Sequence, residues 1–387
     1  MMRVCVSCYG RFWAFNVAEQ LHAHGHLHTL MTGYPYFKVR QHTTLPRHRL
    51  RTLPHVTAVC HLGRMLPKTM SCGLDSQWGQ TRLWDQAVSR RIPQGIDLLD
   101  TYAGMSLKTI RVAKKRGIRT VLERGSSHRA YQVKILEDEH RRFGLPFHHE
   151  SEMMEAELQE YAETDAISIP SGFVRRSFLE QGVSASKLLQ VPYGVDLSRF
   201  RPEPRLDDRF RILFIGGFTL RKGVPYLLEA WSMLRLVNAE LWFVGGPDPT
   251  LLEHLGHVNT PGVRFCGVVP NAQLRHTISQ CDAMVLPSVE EGLAMVIPQA
   301  MACGIPVIHT SNTGGSDIVR PEVDGYEVPI RDAQAIAEKI QRFHDDRDLA
   351  RHMGRNALHR VQSLGGWSEY GRQTIAGYRR ILGLPEA

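Results

Sequence analysis

The chain has 387 residues, 43% hydrophobic and 22% charged, with a formal charge of +8. That length exceeds one ordinary core and predicts two domains of a globular protein, which sets aside disordered and fibrous classes. No run of about 18 apolar residues occurs, and Met1-Met2-Arg3-Val4-Cys5-Val6 lacks a signal-peptide core, so neither a spanning helix nor export is expected. The expected location is the cytoplasm, with peripheral contact at the inner membrane face as an option.

In chain order, short apolar runs alternate with helical spacing, the pattern of βαβ units and parallel sheets. Arg3 to Ser7 reads as a strand; Ala14, Val17, Ala18 and Leu21 then mark one face of a helix that ends at Gly25. Leu27 to Met31 is the next strand. Leu107 to Arg116 is a helix closed by Gly117, and Thr120 to Leu122 and Ala166 to Ile169 are strands. Between them Met154, Leu158, Tyr161 and Ala162 form an apolar stripe, which predicts that Glu150, Glu152, Glu155, Glu157, Glu160 and Glu163 form its wet face. Pro192 to Asp196 and Arg201 to Pro204 form a turn-rich joint. After it come strands at 211–215, 240–244 (ending in Gly245-Gly246-Pro247), 283–286 and 306–309. Helices are expected at 226–235, around 299–302, and at 333–343, 349–361 and 367–381. The expected architecture is α/β, two Rossmann-like doubly wound domains facing a central cleft.

Charge is unevenly spread. From Gln20 to Leu74 there is no Asp or Glu, while Lys38, Arg40, Arg47, Arg49, Arg51, Arg64 and Lys68 are present. Such a face attracts phosphates, anionic lipid or nucleic acid, or is simply solvated. The seven cysteines (Cys5, Cys8, Cys60, Cys72, Cys266, Cys281, Cys303) read mostly as small apolar packers.

Ligands of open parallel sheets bind beyond the carboxyl ends of strands. Three loops there carry chemistry. In Ser7-Cys8-Tyr9-Gly10-Arg11, Gly10 lets a ligand approach the backbone, or serves a plain strand-to-helix turn. In Gly216-Gly217-Phe218-Thr219-Leu220-Arg221-Lys222-Gly223, paired glycines expose N–H groups and two cations stand where a diphosphate could sit; a solvated basic turn is the alternative. The spacing is not that of a Walker loop. The third loop, Glu290-Glu291-Gly292-Leu293-Ala294, leads into an apolar helix start and sets an acceptor beside free N–H groups.

The stretch from Arg211 to Asp332 resembles the donor-binding half of retaining glycosyltransferases with the GT-B fold, family four (glycosyl transferases group 1). Their Glu, seven residues, Glu-Ala-Met-Ala-x-Gly pattern is matched by Glu291 and by Gln299-Ala300-Met301-Ala302-Cys303-Gly304, with Gln in place of the second Glu. Gly216 to Gly223, Val263 to Val269 and Thr313-Gly314-Gly315-Ser316-Asp317 extend the likeness, and Val191 to Asp196 with Ser171 continue it more loosely. The resemblance implies an acceptor-side domain at 1–203, a nucleotide-sugar domain at 204–364, and a C-terminal helix at 365–387 packing back on the first domain.

It also implies roles. Glu291, Arg221 and Lys222 would carry the chemistry, Glu291 on sugar hydroxyls and the cations on the departing diphosphate. Gly10, Gly216, Gly217, Val268, Val269, Gly292, Leu293, Ala294 and Gln299 would bind the donor, Gln299 at the ribose. Glu123 or His128 would touch acceptor or sugar, although a structural histidine is the other reading of His128. Gly217 stands where many members carry an Arg, a gap that Arg221 would fill. Fixed cations at the leaving group predict transfer without a cofactor or required divalent ion. The expected partners are a nucleotide-sugar, a glycan, lipid-linked or small-molecule acceptor, and an anionic membrane surface, with no nucleic acid.

Two alternatives follow from the residues. A nucleotide-sugar epimerase or an inverting transferase would share the fold, with Glu123 or His128 as the base. More remotely, Cys5-x2-Cys8 followed by His22-x3-His26 approaches a zinc-finger spacing and, with the basic charge, a nucleic-acid-binding module.

Overall fold

The computed structural model describes residues 1–65, 71, 73–246, 248–255 and 261–385. Lys68, Cys72 and Pro247, singled out above, lie outside them, as do the last two residues of the 365–387 segment.

Two parallel sheets form the molecule. The first holds β1 (Val4–Cys8), β2 (Leu27–Thr32), β3 (Leu50–Thr52), β4 (Leu98–Tyr102), β5 (Arg119–Glu123), β6 (Ala166–Ile169) and β7 (Leu188–Gln190), in spatial order β3-β2-β1-β4-β5-β6-β7. The second holds β8 (Phe210–Ile215), β9 (Ala239–Val244), β10 (Val263–Gly267), β11 (Ala283–Leu286), β12 (Val307–Thr310) and β13 (Gly325–Val328), in order β10-β9-β8-β11-β12-β13. Helices cover both faces, so β1, β4, β8 and β11 are buried along their whole length. Both orders reverse direction beside the first strand of their domain. There the following loops diverge and leave a crevice.

The strands at 3–7, 27–31, 120–122, 166–169, 211–215, 240–244, 283–286 and 306–309 fall where the apolar runs predict them. The sequence reading missed β4, because Asp100 interrupts its apolar run and the strand buries that carboxyl outright. The short β3, β7, β10 and β13 also escaped it. The expected 226–235 helix runs instead from Val224 to Met233. Pro225 starts it, after Gly223, whose φ is +67°. A Cβ on Gly223 would stand 1.9 Å from the Pro287 carbonyl oxygen, so only glycine lets this loop lie against β11.

The acidic helix departs from expectation. Its buried face is Met153, Ala156, Glu157, Glu160 and Tyr161 in Ser151–Glu163, while Ala162 is exposed. Two glutamates turn inward because each finds donors. Glu160 accepts the N–H groups of Gly104 and Ser106 at 2.6 Å each, and Glu157 pairs with Arg124 at 2.8 Å.

The C-terminal helix, Gly366–Ile381, lies on Ala14–Ala23 of the first domain. Its Tyr378 hydroxyl donates to Asp100 Oδ2 at 2.8 Å. The finger spacing is not gathered into a site. Cys5 and Cys8 point to opposite faces of β1, burial pushes both thiols up, and His22 is exposed. Among the described residues no group of three or more His, Cys, Asp or Glu converges as a metal would need.

Candidate active site

The loop after β11 carries two adjacent carboxylates, and each takes one cation of the loop after β8. Arg221 Nε donates to Glu290 Oε2 at 2.7 Å, and the Lys222 ammonium contacts Glu291 Oε2. The Lys222 Cε also packs beside Gly216, 3.6 Å from where a Cβ would be, at ordinary contact distance. The sequence thus brings Arg221, Lys222, Glu291 and Gly216 together at one end of the second sheet. The N–H groups of Gly292 and Leu293 have no partner among the described residues. The Ala294 N–H is already given to the Thr313 carbonyl at 3.4 Å, which removes it from the donor set expected at 292–294.

Of the other residues expected to bind a donor, Gln299, Val268 and Gly217 belong to the second domain, whereas Gly10 belongs to the first. Gln299 sits on the short helix Val296–Ala302, 9% exposed. Val268 follows β10 on an exposed rim, beside Phe265, whose ring stacks near Phe243 and Phe218. Gly217 is open: apart from its chain neighbours, the Thr219 methyl alone among the described residues comes within 4 Å of a Cβ position. Gly10 lies on the first domain, where it lines a cavity of about 590 Å³ with Tyr9, Tyr34, Lys38, Thr57 and His61.

The first domain closes over the centre. The Ser171 hydroxyl donates to the Gly292 carbonyl at 2.6 Å, and the Gly172 N–H to Asp317 Oδ2 at 2.6 Å. Farther along, Glu139 receives the Tyr226 hydroxyl at 2.7 Å and Arg331 Nε at 2.6 Å. Glu290, fully buried, accepts from Ser127 and Gln132 of the first domain as well as from Arg221. Burial alone would raise its carboxyl, but Arg221 with the Gln132 and Ser127 hydrogen bonds outweighs that and holds it at about 2. Sequence reading passed over Glu290, Ser127, Gln132 and Glu139, because their partners lie far away in the chain. The one local signal was the doubled carboxylate at 290–291.

Of the two first-domain candidates, only Glu123 lies with the cleft-facing groups. Its Oε2 accepts from Trp13 Nε1 at 2.8 Å, and burial pushes the carboxyl up to about 7. The buried Tyr193 hydroxyl has no partner among the described residues, and burial with the charges of Glu123 and Glu291 pushes it up. His128 is structural. Its Nδ1 accepts the Ala130 N–H as the cap of Arg129–Arg142, and its ring packs 4.9 Å from both Tyr161 and Phe178. Burial and the Arg124 charge lower its pKa to about 4, so it is neutral at pH 7.

Comparison with known proteins places this geometry. Residues 209–346 match the family model described as glycosyl transferases group 1. Over the whole chain, the fold superposes on sucrose-phosphate synthase from Thermosynechococcus elongatus with a TM-score of 0.75, covering 99% of this chain and 100% of that one at 22% identity. The chain has the GT-B fold, and residues 209–346 of its second domain are similar to group 1 glycosyltransferases. An Anabaena protein, HepE, solved in complex with UDP-glucose, shares the fold with a TM-score of 0.69 at 15% identity, over 98% of this chain and 100% of that one. In sequence, an uncharacterized glycosyltransferase of Methanocaldococcus jannaschii is 32% identical over 45% of each chain. A GDP-mannose-dependent alpha-(1-6)-phosphatidylinositol monomannoside mannosyltransferase of Mycobacterium tuberculosis is 30% identical over 49% of this chain and 55% of its own. The chain spans about half the length of these two relatives. The matched group 1 segment holds Arg221, Lys222, Glu290, Glu291 and Gln299. Ser127, Gln132 and Glu139 come from outside it.

Proposed function

We propose that the chain is a glycosyltransferase that moves a sugar from a nucleoside-diphosphate donor to an acceptor, with retention of anomeric configuration and no required divalent ion. One observation carries the reading: two cations and two adjacent carboxylates converge beside the unpartnered N–H groups of Gly292 and Leu293. Cleavage of the sugar–phosphate bond builds negative charge on the diphosphate. Arg221 and Lys222 are fixed in advance to receive it, which lowers the barrier without reorganisation. As the diphosphate binds, Lys222 exchanges part of its contact with Glu291, and Glu291 turns to the sugar hydroxyls. Gln299 takes the ribose through its amide.

The acceptor side is the cavity at the ends of β1, β2 and β3. Lys38 stands over the Tyr34 ring there at 4.4 Å, and the 20–74 segment around it carries no acid. The reading is an anionic acceptor, free or lipid-linked, met at a membrane face on the cytoplasmic side. Among the described residues no helix is long and apolar enough to cross a membrane, so contact would be peripheral. Against an inverting transferase or an epimerase stands the shortage of a base. His128 is spent as a cap, and Glu123 is 3% exposed and bound to Trp13.

The test is a donor panel, including UDP-glucose and GDP-mannose, read as nucleoside-diphosphate release with and without acceptor and with EDTA. Acceptor-dependent release, insensitive to EDTA and giving a product of unchanged anomeric configuration, is expected. Donor turnover into a second nucleotide-sugar would make the chain an epimerase, and an inverted product would make it an inverting transferase.

A further inference from the structure

We propose that Glu290 is a positioning residue that aligns Arg221 with the departing diphosphate only while the two domains are together. The inference rests on the reading of Arg221 given above and adds a coupling to it. Glu290 Oε1 receives both the Ser127 N–H at 3.0 Å and the Ser127 hydroxyl at 2.7 Å. Its Oε2 receives Gln132 Nε2 at 3.0 Å and Arg221 Nε at 2.7 Å. Three of the four donors thus belong to the first domain and one to the phosphate loop of the second.

The consequence follows from how a carboxylate shares its charge. A buried anion with four donors spreads its charge over all of them; with one, it concentrates on that one. In the closed arrangement Ser127 and Gln132 take part of the negative charge of Glu290, so more of the positive charge of Arg221 is left for the diphosphate. Ser126, on the same first-domain loop, accepts from Arg221 Nη2 at 3.3 Å and fixes the plane of the guanidinium. Nη1 is left without a partner among the described residues, and the side chain keeps 33% of its surface exposed. Once the domains part, Glu290 keeps only Arg221, and the pair collapses onto itself. The cation is therefore poised for the leaving group in the closed state and withheld in the open one, which also limits donor cleavage before the cleft is filled.

A kinetic double-mutant cycle tests this. No hydrogen bond joins Gln132 to Arg221 among the described residues; the carboxylate of Glu290 links them directly, and Arg124, which Gln132 also accepts from, is the other route between them. Gln132→Ala and, independently, Ser127→Ala are expected to lower kcat about tenfold while nucleoside-diphosphate affinity moves less than about threefold. In an Arg221→Met background the same changes should cost less than about twofold. The Ser127→Ala arm guards against the other role of Gln132, whose Oε1 accepts from Arg124 and Arg129. Circular dichroism and melting confirm that each variant is folded. Equal, additive losses in both backgrounds would overturn the coupling while leaving the role of Arg221 intact. An Arg221→Met protein with undiminished turnover would instead refute the underlying assignment of Arg221.

Discussion

Gly292 and Gly125 meet across the cleft so closely that a Cβ on Gly292 would lie 1.7 Å from the Gly125 carbonyl oxygen. The atom it would strike is backbone, held at the end of β5, and cannot swing away. Glycine at 292 is therefore a requirement of closure, since its φ lies outside the left-handed region and its own loop makes no such demand.

Gly292→Ala is accordingly expected to fold but to hold the domains apart. Its radius of gyration by small-angle scattering should exceed the parent's in the presence of donor, and kcat/KM should fall at least about tenfold. Unchanged scattering with unchanged turnover would show that the contact at Gly292 does not limit closure.

Lys222 offers a sharper electrostatic test. Its ammonium contacts Glu291, and its Cε packs beside Gly216. If it acts mainly on charge that develops as the diphosphate leaves, Lys222→Ala should lower turnover by about 2–4 kcal/mol. Donor affinity should change much less. A variant with normal turnover would remove Lys222 from the mechanism.

The meeting of Arg221 and Lys222 with Glu290 and Glu291 was legible because its parts are local: two loops, each under ten residues, carry their cations, carboxylates and glycines in one stretch. The closure contacts were not. Glu290 is tied to Ser127 and Gln132, and Glu139 to Arg331, by pairing between distant segments that leaves no periodic trace. Buried acids misled for a related reason. Asp100 broke the apolar run of β4, and Glu157 and Glu160 looked like a wet face, because pattern reading assigns charge to solvent unless its partners are known.

Buried acids also give the molecule a distinctive pH response. Burial, against hydrogen bonds from Trp13 and Ser168, raises Glu123 from 4.5 to about 7. Burial and the charge of Glu123 raise Asp100, on the adjacent strand, despite the bond from Tyr378. Below the unfolded value Glu123 is protonated folded and unfolded alike. Above it the unfolded chain releases its proton first, so this residue lowers stability from about pH 4.5 to about pH 7 and no further beyond. Glu290 has the opposite sign: its folded pKa is depressed to about 2, so its contribution is whole above about pH 4.5 and fades as pH falls towards 2. Urea midpoints at about pH 5, 6 and 7 should therefore decline less in Glu123→Gln than in the parent. Parallel curves would mean that Glu123 ionises normally.

The first domain carries the last test, at the membrane. Phe37 is 71% exposed beside Lys38 and Arg40, and across the cavity the helix Pro54–Met65 shows Leu62 at 62% and Met65 at 82%. Arg47 lies over the Tyr36 ring at 5.2 Å, so the cations are held next to aromatic groups that favour an interface. Residues 20 to 74 hold no Asp or Glu, and the carboxylate of Glu19 lies against this segment at Thr43 and Thr44. Vesicles of phosphatidylcholine with phosphatidylglycerol should bind the protein, and each cation brought to the surface should add about 1 kcal/mol at low salt. Raising the salt should weaken binding. Lys38→Glu should weaken it further, and Phe37→Ala should do so with a smaller change in salt sensitivity. Binding indifferent to anionic lipid and to salt would leave the basic face as a solvated surface, and the acceptor would then be a molecule met in solution.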